Sequence, residues 1–347
     1  MKPGKRTLWI YYPLETKFVF KLPKEVERIM CNARYLSRFK RAQDVFSMKK
    51  VFLDSGGLLN LKEQIMHHSN ITIDQLVETC KRHRPTLFLP VDFPSLIDMK
   101  VEEKAKRWRM TFNSLKKTLE QIKNTTFLRD RLVPVVHGFS EKSLKKVLYD
   151  KNVGIFNLAD WDKIALGAQK PLLQKMYFIP DFGKIFCKTV ILLRELIGDE
   201  KWLHILGAGG EKILALSYLL GANSSDSSSW YIAAVHGRVT IPCSGAHKLL
   251  IPRAKPRSEK TRLSTLDKKR LENCSCEVCR ELDPNVQIKV LNDNLDLRLL
   301  HNLSVTVTQS KLLRQLDKKE LISWIKETQG SSSLWPIFQY ALQQISR

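Results

Sequence analysis

The chain has 347 residues, 43% of them hydrophobic, with 58 Lys and Arg against 35 Asp and Glu, a formal net charge of +23. No apolar run approaches the ~18 residues that span a bilayer. The N-terminal MKPGKRTLWIYYPLE lacks the small-residue cleavage site of a signal peptide, so the sequence reads as soluble and cytoplasmic. Its seven cysteines are odd in number, and a disulfide framework would be denser and even. Cys31, Cys80, Cys187 and Cys243 are scattered and read as small buried hydrophobes. The charge points to a polyanionic partner, nucleic acid first and an acidic membrane surface second, with mere solubility as the plain alternative.

In chain order, short apolar runs alternate with longer amphipathic segments. WIYYP or KFVFKL near the N-terminus supplies a first strand. The runs KKVFLDSGG (49–57), TLFLPVDFP (86–94), LVPVVHGFS (132–140), NVGIFNL (152–158), KIALGAQ (163–169) and KWLHILGAG (201–209) follow, with a further strand at 222–225. Helical patterns lie at 73–84, 99–123, 140–149, 184–198 and 210–220. Strands alternating with helices predict parallel βαβ units. Eight such units close a (β/α)8 TIM barrel; an open doubly wound sheet is the alternative. The expected organisation is an N-terminal segment over 1–45, a barrel over 46–245, a basic insertion with a metal-binding subdomain over 246–315, and C-terminal helices over 316–347. Residues 247–270 carry nine Lys/Arg against two acidic residues. The C-terminal segment reads as two helices broken at GSSS.

Polar residues follow the apolar runs at regular places: Asp54, Asp92, His137, Gly167, Gly207 and Asp226. In a parallel β/α fold, residues just past the strand ends line the ligand site. One such aspartate is more often a helix cap than a catalyst; three of them with an imidazole on one mouth form a candidate site. Two carboxylates at one anomeric carbon suit retaining glycosyl transfer, one as nucleophile and one as acid/base. A third can accept hydrogen bonds from a base edge.

CSCEVC places Cys274, Cys276 and Cys279 in C-x-C-x-x-C spacing, with His301 twenty-two residues further on in LRLLHNL. Three thiolates and an imidazole make a closed tetrahedral zinc site, structural because no position stays open for water. The cysteines alone would also suit an Fe–S or redox motif, and His301 alone would suit a core position.

These motifs together resemble the tRNA-guanine transglycosylases, zinc-bearing (β/α)8 barrels that exchange a guanine for a 7-deazaguanine. The similarity runs over roughly residues 45–310. LDSGG (53–57) resembles the family's Asp-Ser-Gly-Gly motif, which implies Asp54 as general acid/base beside Ser55. VDFPS implies Asp92 as a base ligand. VVHGF places His137 and Gly138 where the family has Gln-Gly-Gly, and IALGA keeps Gly167 with Ala168 replacing a second glycine. LHILGAG resembles the turn after the seventh strand, with Gly207, and Asp226 falls at the nucleophile.

Departures point to one branch. DSSSWYIAAVHGRV replaces the Pro-Thr-Arg stretch with which tRNA enzymes read their substrate. This is closest to the DpdA-type 7-deazaguanine DNA transglycosylases, and implies double-stranded DNA as acceptor, with a flipped guanine, and a preQ0-like base as donor. A phage-encoded member would work in its host's cytoplasm. The basic insertion and the helix at 99–123 would grip phosphates, and Phe93, Phe139 and Trp230 would stack bases. A homodimer and a partner ATPase stay open. The same chemistry on tRNA, and a noncatalytic zinc-stabilised nucleic-acid binder, are the rival readings.

Overall fold

A computed structural model of the chain describes residues 6–11, 25–33, 50–56, 71–152, 155, 161–244, 247–249, 263–330 and 332–346. Eight short strands form one parallel sheet: β1 (Thr7–Tyr11), β2 (Arg28–Asn32), β3 (Lys50–Asp54), β4 (Leu87–Phe88), β5 (Val135–Val136), β6 (Lys163–Leu166), β7 (Trp202–Ile205) and β8 (Ser224–Ser227). They are ordered β4-β3-β2-β1-β8-β7-β6-β5. A parallel bridge between Phe88 and Leu132 joins the two edges. There Phe88 N–H donates to Arg131 O at 3.0 Å and Val133 N–H to Phe88 O at 2.9 Å. The ring is thereby closed as a (β/α)8 barrel, and the open-sheet alternative is set aside.

The two-residue alternation of a strand sorts the apolar side chains into two cores. One set faces inward: Trp9, Met30, Phe52, Leu87, Leu89, Val133, Val135 and Ala165 pack together, with Trp202 and Leu206 at the margin. Their neighbours, such as Ile29, Val51, Leu53, Ile164 and Leu203, face outward against the helices. Helices begin where their caps dictate. Thr72 accepts from Gln75 N–H while the Gln75 side chain accepts from Thr72 N–H, a capping box that opens Ile73–His83. The long helix Val101–Ile122 turns Trp108, Leu115 and Ile122 inward and leaves most of its charges on the outer face, with Arg107 buried and paired to Glu103. No helix among the described residues is long and apolar enough to cross a membrane.

Three differences from the sequence reading have physical reasons. β2 was not anticipated: it is five residues long and buried on both faces, so neither length nor alternation announces it. With β1 it brings two barrel strands from residues ahead of position 46. β8 reaches Ser227 and so contains Asp226; a strand of sequence SSDS has no apolar signature. The run at 152–158 falls almost wholly outside the described residues, as does KFVFKL, and the ring closes without either. Cys31, Cys80 and Cys187 are buried, whereas Cys243 is exposed at φ +64°, in a turn with no core to enter.

After β8 the chain forms a short helix, Ser229–Val235, then an antiparallel pair, β9 (Arg238–Thr240) and β10 (His247–Leu249). Residues 250–262 of the basic insertion lie outside the described residues. Beyond it a Ser264-capped helix, Thr265–Glu272, leads to the cysteines. A third core gathers Val239, Ile241, Leu271, Val278, Leu291 and Val305 around Cys274 and Cys279. The helix Leu295–Gln315 carries His301 into this lobe and also sends Leu299, Leu303 and Leu313 into the barrel's outer core. Two further helices, Lys318–Gln329 and Trp335–Ile345, end the chain. The second packs on Pro180–Ile197, where a Cβ at Gly183 would lie 2.3 Å from Ile337 Cδ1.

Candidate active site and metal centre

Every βα loop leaves the barrel at its C-terminal mouth, and the polar strand-end residues meet there. Asp54 ends β3 and accepts from Gly56 N–H at 3.1 Å. Gly56 holds φ +81° with its α-carbon against Asn32, and a Cβ would come within 2.4 Å of Asn32 Nδ2. The loop therefore needs glycine at this turn. Asp54 is deeply set with only an edge open. Burial is the main force raising its carboxyl to about 7, helped by the charges of Asp92 and Asp226; the Gly56 hydrogen bond and Lys170 oppose the rise. A carboxyl near 7 can give and take a proton in neutral solution.

Asp92, in the loop after β4, is buried, hydrogen-bonded at one oxygen and approached by an imidazole at the other. Ser55 Oγ donates to Oδ1 at 3.1 Å, and His137 Nε2 lies 3.1 Å from Oδ2. Each oxygen keeps lone-pair capacity for a ligand's N–H groups. His137 follows β5 and is buried, its ring lying against Gly167 at the end of β6. A Cβ on Gly167 would lie 2.4 Å from His137 Cε1, so glycine is what admits the imidazole. Ser55, Asp92, His137 and Gly167 thus form one assembly from four successive loops.

Asp226 sits on the opposite arc, in β8, opposite Trp9 of β1 in the strand register. Gly207 N–H donates to Asp226 Oδ1 at 2.7 Å, with Gly207 at φ +72°. A Cβ on Gly209 would fall 2.4 Å from Asp226 O, so the glycine-rich loop after β7 runs directly against the β8 backbone. The structure therefore brings Asp54, Ser55, Asp92, His137, Gly167, Gly207 and Asp226 to one mouth. Gly138 has a packing reason instead: a Cβ there would lie 2.8 Å from Leu144 Cδ2 on the following helix. Trp230 is wholly buried, its carbonyl accepting from Asn302 Nδ2 at 3.1 Å. It is a core residue and does not stack bases, contrary to the sequence expectation. Phe93 and Phe139 are partly buried against the outer core.

Sequence reasoning missed three residues of this mouth. Asn32 was lost with β2. Lys170, at the start of the helix after β6, acts on Asp54. His204 is wholly buried 3.3 Å from Asp226 Oδ1; the available signal was a single polar residue inside the apolar run WLHIL.

The second constellation lies in the appended lobe. The sulfurs of Cys274, Cys276 and Cys279 and one nitrogen of His301 all lie within 4.8 Å of one another. His301 Nδ1 is 3.2 Å from Cys279 Sγ, 3.4 Å from Cys276 Sγ and 4.0 Å from Cys274 Sγ. Tetrahedral zinc, at ~2.3 Å from sulfur and ~2.0 Å from nitrogen, sets such pairs about 3.5 Å apart. His301 Nε2 lies 2.9 Å from Thr240 O. A carbonyl only accepts, so the proton is on Nε2 and the Nδ1 lone pair faces the sulfurs, the tautomer a metal needs. Asn302 supports the same strand, accepting from Thr240 N–H at 2.8 Å and donating to Arg238 O at 3.0 Å. Hydrogen bonding with Cys274 and Cys279 pulls the Cys276 thiol far down, while Cys274 and Cys276 push Cys279 far up. Three sulfurs this close cannot all ionise without a cation between them.

The profile of the queuine tRNA-ribosyltransferase family matches residues 24–330. The chain belongs to that family. Among its relatives, the tRNA-guanine(15) transglycosylase of Korarchaeum cryptofilum is 24% identical over 260 residues, covering 74% of this chain and 39% of that protein. The Sulfolobus acidocaldarius enzyme of the same name is 21% identical over 310 residues, covering 87% and 56%. That of Pyrococcus furiosus is 22% identical over 311 residues, covering 86% and 47%. The chain thus spans between about two fifths and just over half the length of these family members. One departure from the family pattern has a structural trace. Ala168, standing where a second glycine was expected, holds φ +62°, so the backbone keeps a left-handed turn that glycine would adopt without strain.

Proposed function

We propose that the chain is a base-exchanging pentosyltransferase that replaces guanine in DNA with a 7-deazaguanine base of the preQ0 type. The observation that carries this reading is the pairing of Asp226 and Asp54 across one barrel mouth, close enough that the charge of Asp226 helps raise Asp54. Asp226 attacks C1′ of the extruded nucleotide, the C1′–N9 bond breaks, and its electron pair leaves with guanine. Asp54, protonated near neutrality, supplies the proton that the departing base takes up. The resulting glycosyl ester is attacked by the incoming base, whose proton returns to Asp54 as the ester bond breaks. Asp92, fixed by Ser55 and His137, accepts from the base's N–H groups.

The Cys274, Cys276, Cys279 and His301 site fits zinc in donor set, spacing and tautomer. Zinc there supplies a structural cross-link, and no reaction step passes through it. The excess of positive charge suits a phosphate backbone. After Asp226 the chain turns at once, with Ser229 N–H donating to Ser227 Oγ at 3.1 Å and Trp230 buried, and residues 227–237 contain no arginine for an RNA loop. That favours DNA. The names of the relatives, all tRNA-guanine(15) transglycosylases, favour the second reading, the same exchange on tRNA.

Incubation with labelled 7-deazaguanine and either duplex DNA or tRNA decides between them. Label in DNA, with a covalent protein–DNA adduct mapped to Asp226, is the expected result. Label in tRNA alone would establish the second reading, and an adduct on another residue would sink the mechanism.

A further inference from the structure

Asp226 is held unevenly, and the imbalance points to a residue without an assigned part. Gly207 N–H reaches Oδ1 at 2.7 Å, and His204 Nε2 lies 3.3 Å from the same Oδ1, near but not aligned as a hydrogen bond without substrate. His204 pairs with Ser224 in the β7–β8 register, and Asp226 lies two residues further along β8, on the same inward face. Below the carboxylate the imidazole is fixed on three sides. It stacks on Trp202 at 5.5 Å and 15°, meets the edge of Phe52 at 5.0 Å, and its Nδ1 lies 2.7 Å from Ser224 Oγ. A hydroxyl can serve Nδ1 as donor or acceptor, but a carboxylate only accepts. For His204 to serve the carboxylate the proton must be on Nε2, with the Ser224 hydroxyl donating to Nδ1.

We propose that His204 is a positioning residue for the nucleophile: with Ser224 setting its tautomer, it joins Gly207 N–H in holding Oδ1 and turns Oδ2 toward the reacting carbon. This rests on Asp226 being the nucleophile. A buried imidazole in an apolar strand is otherwise costly to maintain, and no packing need of the barrel interior calls for its second nitrogen. Apo contacts of this kind are often long and tighten with substrate.

The test is the single-turnover rate of adduct formation, measured alongside the KM for the incoming base and the thermal stability. His204→Leu, similar in bulk but without a donor, should slow adduct formation by about 100-fold with little change in KM. His204→Gln, which places an N–H near the Nε2 position, should recover to within about tenfold of wild type. Ser224→Ala leaves the imidazole but frees its tautomer, and should slow the same step by about tenfold; it also serves if both His204 variants fail to fold. Equal rates for His204→Leu and wild type, equal losses in the Leu and Gln variants when both are folded, or an unchanged Ser224→Ala rate would each overturn the role. Absence of any adduct in the wild-type protein, with DNA and with tRNA, would instead overturn the proposed function and this inference with it.

Discussion

The barrel mouth and the Cys3His lobe both crowd ionisable groups into buried space, yet they manage the crowding in opposite ways. At the mouth, Asp54, Asp92 and Asp226 stand on different strands and loops, and each is held at one or two oxygens with capacity left over. Burial first, and the repulsion of Asp92 and Asp226 second, raise Asp54 to about 7. In the lobe, four donor atoms turn inward on one point, and Thr240 fixes the histidine from behind. One region keeps a carboxyl raised among its neighbours, as the proposed proton transfer requires. The other presents a donor set that a single divalent cation would relax completely. A site built for reaction keeps unsatisfied capacity, whereas a site built for stability consumes it.

Removing the metal is the most severe way to break this contrast. Structural zinc contributes about 10–16 kcal/mol of folding free energy in small sites. Cys279→Ser, or treatment with a strong chelator, should open the lobe to proteolysis between residues 239 and 315 and lower the Tm by about 10 °C or more. Retained zinc and unchanged protection after Cys279→Ser would show that the cluster does not hold the lobe together. Asp226→Asn should be the converse: adduct formation falls by about 10⁴-fold or more while zinc content and Tm stay near wild type.

Asp54→Asn sharpens the comparison because it separates activity from stability. Exchange should fall by about 10²–10⁴-fold, the usual worth of a general acid/base. The folded-state pKa of Asp54, about 7, lies above its ordinary value of 3.8. The proton is therefore held more tightly in the folded protein, and the associated stability is complete below about pH 4 and lost as pH rises through 7. The Asn variant should match wild type in denaturant titrations at pH 4 and exceed it by a few kcal/mol at pH 8. A stability difference that does not grow with pH would refute the raised carboxyl. The smallest effect is expected at Ala168, held at φ +62°. Ala168→Gly relieves about 1–2 kcal/mol of left-handed strain but adds up to about 1 kcal/mol of unfolded-state entropy. It should be neutral or slightly stabilising, and a loss above about 1 kcal/mol in thermal denaturation would contradict the strain.

Legibility in the sequence followed the kind of signal each part leaves. Strands β3, β4, β6 and β7 were readable because apolar runs ended in turn residues. The gathering of Asp54, Asp92, His137 and Asp226 was readable because residues at strand ends in a parallel barrel meet at one mouth by topology. β2 was not, because a fully buried five-residue strand has no alternation. β8 was read at 222–225, but its extent to Ser227 was not, because its serines hydrogen-bond to the barrel where apolar side chains would normally pack: Ser225 Oγ donates to Ile205 O at 2.6 Å. Trp230 was misjudged because an aromatic near a mouth looks the same in sequence whether it points into the site or, as here, beneath the lobe.

The sequence by itself determined the barrel class, the Cys3His donor set and which aspartates stand at or near strand ends, since all three depend on local spacing and strand-to-turn order. Only the tertiary structure decided the contacts between strands distant in the chain. These are the closure at Phe88 and Leu132, the Ser55–Asp92–His137 assembly, and His204 beneath Asp226. Such contacts depend on register and on the inward or outward facing of each side chain, and both are set by closing the ring.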